Sequence, residues 1–175
     1  MSTGLVHLYT GEGKGKTTAA IGLSVRAAGA GKKVVFAQFM KGRDTSELKS
    51  LSSIEGITIV RSAEELGWLD KNNAEQVLKF TDTHNNLLEE IETFIMNGQC
   101  DVLVLDEVTY PYSYGVIDKD RLEELITNKP EEMEIVCTGR NADEFFVDHA
   151  DYITEMKKIR HPYDNGIQAR EGIEF

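Results

Sequence analysis

The sequence predicts an α/β fold in which a parallel sheet is the middle of three layers, and three observations carry that prediction. Val34-Val35-Phe36-Ala37 and Val102-Leu103-Val104-Leu105 are unbroken apolar runs, the pattern of strands buried on both faces. Stretches of helical period lie between such runs, and strands that alternate with helices form parallel sheets covered on both sides. A length of 175 residues suits one well-buried domain and is short for two. A single domain over residues 1–175 is therefore expected, ending in an irregular tail from about residue 156.

In chain order, Leu5 to Tyr9 reads as a short strand running into glycines. Thr17 to Ala28 reads as a helix closed by Gly29 and Gly31. Val34 to Ala37 is the second strand and Gly56 to Val60 a third, shorter one. Asn73 to Met96 is a long helix with Val77, Leu88, Ile91 and Ile95 on one stripe. Val102 to Leu105 is the most apolar strand. Then follow a helix near Asp120 to Ile126, a strand Glu134 to Cys137, a helix near Ala142 to Val147 and a last strand Tyr152 to Thr154. The chain has no internal repeat, low-complexity tract or linker.

Composition narrows the function. Hydrophobic content of 41% and charged content of 28% describe a globular protein. No apolar run reaches the length of a membrane span, and the start Met1-Ser2-Thr3-Gly4 has no secretory pattern. Cys100 and Cys137, without metal-type pairing, fit a reducing cytoplasm. A net charge of -11 argues against a nucleic-acid partner. Yet through Arg43 the chain carries Lys14, Lys16, Arg26, Lys32, Lys33, Lys41 and Arg43 against Glu12 alone, which suggests a local anion site. For Lys32 and Lys33, solvated surface is explanation enough.

That site is visible in "TGEGKGKTTAA", Thr10 to Ala20. A glycine-rich turn after a strand and before a helix points backbone N–H groups inward and makes a nest for anions. Gly11, Gly13 and Gly15 let a phosphate approach, with the amides of Glu12, Lys14 and Thr18 alongside. Lys16 supplies the cation, and the Thr17 hydroxyl reaches Mg²⁺, as in G-x-x-x-x-G-K-[ST]. The first glycine of that pattern falls on Thr10, which fits the last extended residue of the strand. A dinucleotide fingerprint also begins Gly-x-Gly, but its third glycine falls on Lys16 and no ribose-binding acid ends the second strand at Gln38-Phe39. A tight turn alone leaves the two lysines unexplained.

"CDVLVLDE" sets Asp106 and Glu107 at the carboxyl end of an apolar strand, the arrangement that holds Mg²⁺ in phosphate-loop enzymes. With Thr17 these make the candidate metal ligands. Kinases, ATPases and nucleotide switches all share this much, so it leaves the reaction open.

The ordered set "TGEGKGKTTAA", "QFMKG", "LDEVTYPYSYG", "CTGRNA" and "RHPYDNGIQAREGIEF" resembles the P-loop corrinoid adenosyltransferases of the CobA/CobO/BtuR type, from Gly4 to Phe175. The resemblance implies a P-loop NTPase-like fold and transfer of the 5′-deoxyadenosyl group of ATP to the Co(I) of a corrinoid, with release of triphosphate, in adenosylcobalamin synthesis or salvage. It implies ATP bound in reversed sense along the loop, magnesium with manganese as the alternative ion, a cobalamin or cobinamide-type acceptor, a flavoprotein reductant and a homodimer. Lys16, Thr17 and Glu107 are then catalytic, and Arg140 and Arg26 are candidate phosphate contacts, Arg26 being equally well a surface arginine. Family members displace the lower axial ligand of cobalt with aromatic residues wedged under the corrin. Trp68, in "ELGWLD", falls where that wedge is expected, while the partner aromatic position reads Leu66. Some relatives have an amino-terminal extension over the site; this chain enters its first strand at once, so a more open site, or one covered by another segment, is expected.

Other residues have plainer readings. His84, on the long helix with Thr81, reads as a core-edge histidine bonded to backbone, the sharper alternative being contact with a corrin side chain. Cys137 reads as core, and Asp164-Asn165-Gly166 as a turn. No Ser-His-Asp or Cys-His nucleophile pattern occurs.

Overall fold

β1 (Val6–Thr10) ends at the glycine loop and α1 (Lys16–Gly29) leaves it. The computed structural model describes residues 3–40, 45–62 and 66–174. Lys41 and Arg43, the end of "QFMKG", the first two residues and Phe175 lie outside the described residues. The remaining elements are β2 (Val34–Gln38), α2 (Ser46–Leu51), β3 (Ile57–Arg61), α3 (Ala74–Met96), β4 (Val102–Asp106), α4 (Thr109–Tyr114), α5 (Lys119–Thr127), β5 (Glu134–Thr138), α6 (Glu144–His149) and β6 (Tyr152–Glu155), then a 3-10 turn at Pro162–Asn165.

The six strands pair in the order β3-β2-β4-β5-β1-β6, and every pairing is parallel. β2 and β4 are buried along their whole length, as their unbroken apolar character requires. Alternate residues feed two cores. Val35, Ala37, Leu103 and Leu105 pack with Leu88 and Ile91 of α3 and Leu122 and Ile126 of α5 on one face. Phe36, Val104 and Val136 pack with Ala20 of α1 and Leu51 of α2 on the other. The three layers follow.

Every strand anticipated from the pattern is present, with ends shifted by a residue. Asn73 caps α3, its side chain accepting from the Glu75 and Gln76 amides. The buried stripe of α3 is Phe80, His84, Leu87, Leu88 and Ile91, with Val77 and Ile95 only partly covered. Two helices appear that the pattern did not anticipate, α2 and α4, each of six residues. Segments so short have too few turns to display a period, and Pro111 in α4 reads locally as a breaker, though it lies in the first turn, where its missing N–H costs nothing. Among the described residues, no helix is long and apolar enough to cross a membrane.

All strands being parallel, their carboxyl ends share one edge. β1, β4 and β5 deliver there the glycine loop, Asp106-Glu107 and Thr138-Gly139-Arg140. Open α/β sheets bind ligands at that edge.

Candidate functional site

The glycine loop is held from two sides. Gly11 (φ 96°) and Gly15 (φ 122°) adopt backbone that only glycine takes without strain. Gly13 is needed for space: a Cβ on it would stand 2.6 Å from the Met156 carbonyl oxygen, and one on Gly11 2.7 Å from the same atom. The Gly13 amide donates to that oxygen at 2.6 Å. Two of the glycines therefore admit the segment after β6 as well as any phosphate. Inside the loop, Lys16 Nζ donates to Gly11 O at 2.6 Å and Gly13 O at 2.8 Å. Burial, and then the Arg140 guanidinium, pull this ammonium below its ordinary value. The first turn of α1 contains no acidic residue, so its positive end is open to an anion.

Asp106 Oδ1 accepts from Thr17 Oγ1 at 2.9 Å and from Thr138 Oγ1 at 2.8 Å. Thr138 Oγ1 in turn accepts the Glu107 amide at 2.9 Å. Glu107 is left-handed (φ 64°), unusual for a side chain so large, and it lines the cavity beside the loop. Among the described residues, no group of three or more His, Cys, Asp or Glu could hold a metal unaided. The donors that meet here are oxygens, one hydroxyl and two carboxylates. That set fits magnesium, which takes few protein ligands and completes its shell with phosphate and water.

Arg140 follows β5. A Cβ on Gly139 would lie 1.8 Å from Thr109 Oγ1, so only glycine fits there. The Thr109 hydroxyl donates to the Arg140 carbonyl, and Arg140 Nε stands 3.5 Å from Glu12 Oε2 across the loop. Arg26 is exposed on α1, outside the residues that line the cavity.

The cavity measures about 1250 Å³, more than the roughly 300–1000 Å³ of single-ligand pockets. Thr17, Thr18, Glu107 and Arg140 bring charge and polarity to its lining, and Leu66, Trp68, Tyr110 and Tyr114 bring apolar and aromatic surface. Trp68 is 97% exposed, so this large apolar ring covers nothing within the chain. Lys71 Nζ lies 4.3 Å from the centroid of Tyr114. Gly172 and Ile173 of the tail reach the rim.

Of the expected site residues, Thr17, Thr18, Leu66, Trp68, Glu107 and Arg140 line this cavity, while Thr10 to Lys16 and the buried Asp106 lie outside its lining, Asp106 joined to it through Thr17. Residue-by-residue reading did not single out Thr138, Lys71 or the tyrosine pair. The spacing of Tyr110 and Tyr114, one helical turn apart, was the available signal for the pair.

The family model for ATP:corrinoid adenosyltransferases BtuR/CobO/CobP matches residues 2–175. The chain belongs to that family. Its corrinoid adenosyltransferase relatives include one from Escherichia coli (strain K12), 30% identical over 172 residues, spanning 98% of this chain and 86% of the relative. Corrinoid adenosyltransferase CobA of Salmonella typhimurium is 29% identical with the same coverage. A Sinorhizobium corrinoid adenosyltransferase is 31% identical over 176 residues, 98% of this chain and 80% of its own. As a member of the corrinoid adenosyltransferases, the chain is a transferase that moves the adenosyl group of ATP to a corrinoid, in cobalamin biosynthesis or salvage.

Proposed function

We propose that this chain binds ATP and a corrinoid side by side and joins cobalt to C5′ of the nucleotide, releasing triphosphate. The observation that supports this reading is a cavity of about 1250 Å³, larger than most single-ligand pockets, whose lining combines Thr17, Thr18 and Arg140 with the exposed Trp68.

In the reaction the Co(I) electron pair attacks C5′. A Co–C bond forms as the C5′–O bond breaks, and that bonding pair leaves on the triphosphate. Co(I) is a strong nucleophile, so no side chain need remove a proton. The protein's work is alignment, stabilisation of the leaving charge and exclusion of water. The loop amides from Gly11 to Thr18, save that of Gly13, which donates to the Met156 carbonyl, hold the triphosphate with Lys14 and Lys16, and Arg140 swings from the exposed Glu12 carboxylate to the same anion. Thr17, Asp106 and Glu107 would hold magnesium, manganese serving in its place, and the ion would neutralise leaving charge. Thr138 fixes Asp106 and the Glu107 backbone for that task. Arg26 belongs to the phosphate set only if it reorients. Trp68, with Leu66 beside it, contacts the corrin face and favours loss of the lower axial ligand before reduction.

A flavoprotein supplies the electron, the acceptor is cobalamin or a cobinamide-type corrinoid, and the enzyme works as a cytoplasmic homodimer. It is built as one domain with a tail from about residue 156.

An anaerobic assay with ATP and chemically reduced corrinoid tests the reading. A light-sensitive Co–C product formed mole for mole with triphosphate is expected. ADP formed without corrinoid would make the chain a kinase or ATPase instead.

A further inference from the structure

Among the described residues, the cavity lining holds two cations, Arg140 and Lys71, and they are placed differently. Arg140 stands 3.5 Å from Glu12 Oε2 at the glycine loop, and its charge acts on Lys16. Lys71 has no carboxylate partner among the described residues, and its Nζ rests 4.3 Å from the centroid of the Tyr114 ring. Two carboxylates of the same lining are turned to other groups, Glu47 to Gln38 Nε2 and Glu174 to Arg170.

An ammonium laid on a ring gives up freedom that a surface lysine ordinarily keeps. Its backbone is tied down as well. Asp70 Oδ1 accepts from the Asn72 amide at 3.0 Å, and the Asp70 amide donates to Gln76 Oε1 in the first turn of α3 at 2.9 Å. Tyr114 ends α4, where Gly115 supplies the left-handed cap. The neighbours of this charge in the lining are apolar or aromatic. Trp68 and Leu69 precede it in the same segment, and the Tyr110 ring lies 6.2 Å from that of Tyr114.

A cation beside exposed rings suits a ligand with a flat apolar body and an anion on its rim. The rings take the body. Once it lies on them, water is excluded from one side of Lys71 and the attraction to an anion strengthens. The corrin ring has that form, since its rim bears short side chains ending in amides, in free carboxylates or, farther out, in a phosphate. An amide gives Lys71 a carbonyl to donate to, whereas a carboxylate or phosphate adds a full charge. A chain of net charge -11 repels an anionic ligand at long range, so a local cation is what admits one.

We propose that Lys71, held on Tyr114 beside Trp68, is a specificity-determining residue that selects corrinoids carrying an anionic group, a carboxylate or a phosphate, on the rim of the ring. This rests on the reading above only in taking a corrinoid as the ligand.

Trp68 is the sole tryptophan, so quenching of its fluorescence by an absorbing corrinoid reads binding directly. The full chain is titrated with Co(III) cobyric acid, which carries one carboxylate, with cobinamide phosphate, and with cobinamide, whose rim is neutral. Mg-ATP is present and reductant is left out, so nothing turns over. At low salt, the preference of wild-type protein for an anionic corrinoid over cobinamide should exceed that of Lys71→Gln by about fivefold, the upper range for a partly exposed ion pair. Lys71→Arg should restore it, and at 1 M salt, where the screening length is about 3 Å, it should shrink. Whether cobyric acid, cobinamide phosphate or both show the effect says which anion Lys71 takes. Equal losses for charged and neutral corrinoids in Lys71→Gln would make the lysine a packing residue and overturn the proposal. So would an unchanged preference, or a loss confined to affinity for inorganic triphosphate. Quenching by none of the three would overturn this proposal and the corrinoid reading together. Anion preference without any Co–C product once reductant is added would defeat adenosyl transfer alone and leave this one standing.

Discussion

At Thr138 one hydroxyl donates to Asp106 Oδ1 while accepting the Glu107 amide, so the carboxylate and the left-handed residue after it are held by the same atom. Thr138→Val keeps the shape and removes both bonds. It should lower stability by about 1–3 kcal/mol in urea unfolding, and, if Asp106 and Glu107 hold magnesium as proposed, lower kcat more than it raises the ATP KM. Lys16→Ala should abolish ATP binding in equilibrium titration, since no other ammonium donates into the loop among the described residues. Trp68→Ala removes a ring that is 97% exposed, so the melting temperature should hold. Its rate should fall when the reaction starts from Co(II) and change little from Co(I); equal losses from both would rule out a role beneath the corrin. Lys16, Thr17, Asp106 and Glu107 were legible in the sequence because their spacing is local and bound to a strand end. Thr138 was not. Its partners are 31 and 32 residues away and meet it only through the register of β4 and β5.

Among the elements, α3 was the clearest to read, because 23 residues give the apolar stripe room to repeat. Its His84 is fully buried between Phe39 and Phe80, with Nδ1 donating to the Val116 carbonyl. The plain reading of a core histidine bonded to backbone therefore holds. Burial draws its pKa below the ordinary 6.5. The unfolded chain thus binds this proton more readily than the folded one, and the stability contributed is present above about pH 6.5 and lost as pH falls below it. Urea midpoints of the wild type should drop between about pH 7 and about pH 5, and His84→Gln should flatten that slope. α2 stayed hidden because it carries more polar than apolar side chains, and α4 because Pro111 reads locally as a breaker. With α2 went Thr45 and Glu47, which line the cavity.

For the whole molecule, the parallel sheet followed from alternation of apolar runs and helical segments, but strand order did not. Nothing local says that β6 lies against β1, or that Met156 reaches the glycine loop. The three glycines could be read as a candidate phosphate nest; the reason Gly13 admits no side chain could not. Gly13→Ala would drive a Cβ to 2.6 Å from the Met156 oxygen. It should weaken ATP binding and lower the urea midpoint together, the second effect persisting without nucleotide, whereas a purely phosphate-facing glycine would show only the first.

That contact orders events during synthesis. The loop leaves the ribosome early, yet the strands on both sides of β1 are residues 134–138 and 152–155, and the carbonyl that grips the loop belongs to residue 156. A nascent chain halted before that point has the phosphate-binding letters without the cradle. It should ignore ATP until residue 156 has been made and has folded back onto the loop.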